Sequence, residues 1–138
     1  MSGERGGGAV SVPAAVVLLA VLVLLGLAVD GVRAAQVIAT ADAIAGEAAR
    51  AGGQAVDVAA LARGATAVDP TAAAAAARGY LKSAGVTGTV DLDGADTIRV
   101  EVTVTRPTVL LGLAGRPTIT GHGSASARLV PVDPGGAP

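Results

Sequence analysis

The side chains able to do chemistry are few and scattered. Asp91, Asp93 and Asp96 gather within six residues, and carboxylates on a short loop are the usual ligands of a calcium ion. The evenly spaced ligand series and the terminal bidentate Glu of an EF-hand are missing, however, so the expected reading is a solvated turn. His122 is the only histidine, set between Gly121 and Gly123, and cysteine is absent. A zinc-type site therefore has no second imidazole and no thiolate to draw on. No serine sits in a nucleophile-elbow context. Gly6-Gly7-Gly8 follows no strand and precedes no phosphate-binding Lys, which excludes a P-loop and leaves a flexible leader. No set of acid, base and nucleophile can be assembled from these groups, so the expectation is a non-enzyme with no catalytic, cofactor-binding or metal-binding residue and no small-molecule substrate.

Composition narrows the classes further. The chain has 138 residues and a net charge of −1, and it carries no basic cluster of the kind that neutralises a row of phosphates, which argues against nucleic acid as a partner. Tyr80 is the only aromatic residue, so any core must be built from Ala, Val, Leu and Ile and will be thin. The lack of cysteine rules out disulfides and leaves the redox compartment open.

The strongest signal lies near the N-terminus. Residues 9–29 form 21 residues without a charge, and about 20 are needed for a helix to cross a bilayer. Thirteen of them are Val or Leu, giving an insertion energy of roughly −5 kcal/mol before small penalties for Ser11, Pro13 and Gly26. A carboxylate in lipid costs about 3 kcal/mol, so the expected boundary falls between Val29 and Asp30. The lipid bilayer is thus an expected partner. A cleavable signal peptide is the competing reading, because Val32-Arg33-Ala34 offers small residues at the two places that define a cut before Ala35. The apolar run exceeds the usual 7 to 15 residues or so of such a peptide, and Asp30 and Arg33 crowd the cut, which favours a retained anchor. Arg5 before the span gives a weak preference for an inside N-terminus and an extracytoplasmic C-terminal domain.

Helical spacing continues past Asp30 through Val37, Ala41, Ile44 and Ala48, with Arg33, Thr40, Glu47 and Arg50 on other faces. Gly52-Gly53 is the first strong stop, so one helix is expected from Ala14 to Ala51, roughly 57 Å long. Its outer half is either a plain linker or a stalk whose Ala stripe packs on neighbouring helices. A second helix is punctuated by Asp69 as cap, Pro70 at the first position and Gly85 past the end, with Ala74, Ala77, Leu81 and Ala84 as its apolar stripe. After Gly85 the period becomes two. Val90 and Leu92, then Ile98, Val100, Val102 and Val104, alternate with polar residues across an Asp93-Gly94-Ala95-Asp96 hairpin loop. A third strand is expected within Thr118 to Val130, with Ala125, Ala127 and Leu129 facing inward. The fold class is α+β: a long N-terminal helix, a second Ala-rich helix and a small antiparallel sheet of about three strands. The boundaries are 1–8 for the leader, 9–29 for the membrane helix, 30–53 for the stalk, 54–132 for the α+β domain and 133–138 for a disordered tail. Val109-Leu110-Leu111-Gly112-Leu113 is too apolar for an ordinary exposed loop. It either plugs the end of the core or contacts lipid or another subunit.

Several stretches carry a resemblance. The leader GERGGGAVSV, the apolar span, the Val-Asp-Gly-x-Arg-Ala-Ala exit, the DPTAAAAAARGYL helix, the TIRVEVTVT strand, the Pro-Thr-x-Leu-Leu-Gly-Leu segment and the final Ser-Ala-Ser-Ala-Arg strand resemble TadE/TadG-like proteins of actinobacterial tight-adherence (Flp) pilus systems. The resemblance covers nearly the whole chain through motifs that are largely compositional. It implies a pseudopilin-like accessory component, held in the cytoplasmic membrane by a single pass, with other pilus or secretion-system subunits as partners. Many relatives place a Glu five residues after a Gly, but counting from Gly8 the residue here is Pro13. Prepilin-type processing is therefore not expected.

Overall fold

The computed structural model describes residues 8–55, 61–63, 68–94 and 96–129, with side chains from Ser11 onward. The expected leader before Gly8 and the 133–138 tail lie outside the described residues. Within them the architecture is α+β, as the alternation of periods implies: helix α1 (Gly8–Gly53), helix α2 (Pro70–Ser83) and strands β1 (Thr87–Asp93), β2 (Thr97–Pro107) and β3 (Thr118–Arg128).

Helix α1 runs 46 residues without interruption, about 69 Å at 1.5 Å per residue. It starts six residues before Ala14, nearly two turns, which puts Pro13 inside its second turn, where the missing N–H removes one rung of the hydrogen-bond ladder. It is long and apolar enough to cross a membrane, and none of its most apolar stretch is buried by protein. Gly52 and Gly53 are the last two helical residues, so the helix ends at the glycine pair that the sequence marks as its stop, two residues past Ala51. Gly52 also serves packing: a Cβ there would stand 2.9 Å from Ile98 Cδ1 and 3.0 Å from the Ala73 carbonyl oxygen, where α1, α2 and β2 meet.

Helix α2 has the ends that its sequence specifies. Asp69 accepts a hydrogen bond from Thr71 N at 2.8 Å, and Pro70 follows at the first helical position. At the other end Gly85 adopts φ +66°, Val86 N donates to Leu81 O at 3.3 Å, and Gly85 N donates to Lys82 O at 3.2 Å. That pair of bonds is a Schellman ending, and it requires the left-handed conformation that glycine takes at no steric cost. The buried stripe is Ala73, Ala74, Ala77 and Leu81. Ala84, expected inward, is the C-cap residue and is exposed.

The sheet is antiparallel in the order β1-β2-β3. In β2, Ile98, Val100, Val102 and Val104 are buried while Arg99 and Glu101 are exposed, so the period-two reading has the right parity. Leu92 shares the inward parity of Val90 but lies near the end of the outer strand, opposite Ile98, and is exposed. The inward positions of β3 carry Gly121, Gly123, Ala125 and Ala127, and this is what lets α1 lie almost directly on the strand. A Cβ on Gly121 would stand 2.8 Å from Val37 Cγ1 and 2.9 Å from Ile38 N, and one on Gly123 would overlap the Ala41–Asp42 peptide group. The Ala stripe of α1 (Ala41, Ala45, Ala48 and Ala49) is thus buried against the chain's own sheet. Helix α2 covers β1 from the other side of α1, with Leu81 over Gly88.

Candidate functional site at the foot of the sheet

Strand β3 runs parallel to α1, since Gly121 meets Val37 and Ala127 meets Gly53. The loop between β2 and β3 therefore lies at the end of the sheet nearest the apolar half of α1. Arg33 fixes the descent of β2, donating from Nη1 to Pro107 O at 3.2 Å.

Below that point Asp30 takes over. Its carboxylate is buried, with 1% of its surface exposed, and accepts three backbone hydrogen bonds: Val109 N at 2.7 Å to Oδ1, and Leu110 N and Leu111 N at 2.8 Å each to Oδ2. The loop is wound as a single helical turn, in which Leu113 N donates to Leu110 O at 2.9 Å and Ala114 N to Leu111 O at 3.1 Å. It closes as α2 does: Gly115 has φ +82° and Arg116 N donates to Leu111 O at 2.8 Å. The first N–H groups of a helical turn lack internal partners, and here a carboxylate from the far end of the chain supplies them. Thr108 ties the neck of the loop, donating from Oγ1 to Arg116 O at 2.6 Å, while its N donates to Pro117 O at 3.0 Å.

The electrostatics follow from this geometry. The Val109 N–H, then that of Leu111, hold the Asp30 carboxyl below the ordinary aspartate value; burial works in the opposite sense, and the Leu110 N–H and the Arg33 charge lower it further. Asp30 is thus a buried anion satisfied by three donors, the state in which a buried carboxylate is tolerated.

The apolar side chains of the turn divide. Leu110 packs on α1 at Gly26, where an added Cβ would stand 3.0 Å from Leu110 Cβ. Val109 is half exposed and Leu113 is 86% exposed.

The other candidates occupy separate places. Asp93 pairs with Arg99 at 3.0 Å and Asp96 Oδ1 lies 3.3 Å from Thr97 Oγ1, both exposed. Asp91 sits opposite Arg99 on the open face of the sheet. Among the described residues no group of three His, Asp or Glu is arranged to hold a metal ion. His122 is exposed on that open face, its Nδ1 3.2 Å from the hydroxyl of its cross-strand neighbour Thr103. Residues 6 and 7 of the Gly-rich leader lie outside the described residues.

No family model, no curated protein and no solved structure matches the chain. The residue that the sequence alone did not single out as functional is Asp30, which reads there only as the limit of an apolar span. The available signal was a carboxylate at the end of such a span followed, far along the chain, by an apolar loop with backbone donors to spare.

Proposed function

We propose that the protein is a single-pass membrane component of an envelope pilus or secretion apparatus of the tight-adherence type, structural rather than catalytic. The observation that carries this reading is the single helix α1, which is apolar and uncovered over residues 11–25 and then becomes the central packing element of a small α+β head. A membrane helix continuous with its own head suits a subunit that is built into an assembly by lateral packing. The TadE/TadG-like motifs in the sequence support the same class. The proposed orientation has the N-terminus in the cytoplasm and the head outside the cytoplasmic membrane.

Release of the head by a cut after Ala34 is the weaker alternative, because it would remove Asp30 from the Val109, Leu110 and Leu111 amides and Arg33 from Pro107 O.

Deletion of the gene in its source cell, with and without complementation, tests the assignment. Loss of surface fibres restored by the intact chain is expected. Unchanged piliation and adhesion in the deletion strain would refute it. Carbonate extraction followed by intact-mass measurement tests retention: a membrane-bound chain that still carries residues 30–34 is expected, and a chain starting at Ala35 in the medium would favour the released module.

A further inference from the structure

We propose that the Val109–Leu113 turn is a second membrane contact, lying in the bilayer interface beside the point where α1 emerges, with Leu113 reaching the acyl boundary. The inference rests on the membrane reading of residues 9–29 and is independent of the pilus assignment.

Depth comes first. Leu110 packs against Gly26, one helical turn below Asp30 and inside the uncharged 9–29 stretch. At 1.5 Å per residue the contact lies about 6 Å below the Asp30 level. A loop touching that turn shares its depth, so the membrane that surrounds the span also meets the loop.

Exposure comes second. Leu113 is 86% exposed and Val109 51% exposed, in a molecule whose buried core consists mainly of Ala and Val. The two side chains are not recruited to that core, and they belong to the turn that Leu110 holds against the apolar half of α1 at Gly26.

Backbone satisfaction comes third. Polar backbone groups are tolerated near hydrocarbon only where they are paired. The leading N–H groups of the turn are held by Asp30, and the Leu110, Leu111 and Gly112 carbonyls accept from Leu113, Ala114, Gly115 and Arg116. The anion that does this is itself enclosed. The Arg33 guanidinium at the neck of the loop provides positive charge where phosphate headgroups would lie, and a second Arg, Arg116, follows the turn in the chain.

The chain contains no cysteine, so a single probe can be placed without altering the background. Full-length L113C, labelled with an environment-sensitive fluorophore, is reconstituted in vesicles of phosphatidylcholine and phosphatidylglycerol. Matched vesicles carry lipids with a nitroxide near the top of the acyl chain. Ser126→Cys, exposed on the open sheet face, is the control. The expected result is blue-shifted emission from residue 113, quenched by the lipid-borne nitroxide, and water-like, unquenched emission from residue 126. Water-like emission at both positions would overturn the proposal. So would blue-shifted emission at residue 113 that the lipid nitroxide fails to quench, which would assign the loop to a second copy of the chain.

Discussion

The two halves of α1 are one helix under opposite rules. Between Val16 and Val29 the side chains are mostly Leu and Val and nearly all stand exposed, whereas between Val37 and Gly52 the inward ones are mostly Ala and are fully covered. The most hydrophobic part of the molecule is the least buried by protein. On the proposed membrane reading, large side chains serve where the surroundings are fluid, since lipid conforms to any shape. Small ones serve where the partner is a rigid strand, because they let the two backbones approach until dispersion contacts become numerous. Gly121 and Gly123 take this furthest, and the comparison predicts that damage scales with closeness of approach and not with hydrophobicity.

The largest effect is expected at Gly123, where any Cβ overlaps the α1 backbone and no flexible side chain can yield. G123V should cost about 4 kcal/mol or more, most of the stability of a small domain. Loss of protease resistance in the head, with α1 still inserted, is the expected observation; a native-like head would show that α1 and β3 are not in contact. Val102 comes next, buried on the inner face of β2. V102D places a charge in the core at about 3 kcal/mol or more, while T103D on the opposite face should be mild. Equal severity in a thermal or proteolytic assay would invert the strand parity.

Acid should act on the loop and spare the Ala–Gly contact. The Asp30 pKa is lowered in the fold, so its contribution is fully present above the ordinary aspartate value of about 3.9 and fades as pH falls through the lower native one. Protection of the Val109, Leu110 and Leu111 amides, taken as the ratio of intrinsic to observed exchange at each pH, should fall in the wild type as pH drops through the lowered Asp30 value. In D30N those amides should be weakly protected already at neutral pH, and their protection should change little further on acidification. The smallest effects are expected from L18A, in the uncovered half of α1, and H122A. L18A should lower insertion by no more than about 0.6 kcal/mol and leave melting of the head unchanged. H122A removes an exposed ring with one cross-strand contact and should shift stability by less than about 0.5 kcal/mol.

Period and punctuation were legible in the sequence because they are local. Asp69, Pro70 and Gly85 specify both ends of α2, and the alternation from Ile98 to Val104 specifies a face. Gly52 carries two meanings in one letter: it lies at the helix end that the sequence marks, and it makes a close crossing that only the neighbours Ile98 and Ala73 reveal. The same ambiguity hid Gly121 and Gly123. Asp30 could be seen as a boundary but not as a ligand, since its three donors belong to Val109, Leu110 and Leu111, and no sequence pattern joins groups so far apart in the chain.

Helix α1 has no proline after Pro13 and no break before Gly53, which makes the molecule torsionally stiff. Turning its lower end about the long axis turns the head by the same angle, as a crank does, because no swivel separates them. The direction in which the open sheet face points is therefore encoded by residue count alone. One residue added between Leu19 and Ala20 would leave every contact in the head intact yet re-aim that face by about 100° relative to the first turns of the helix.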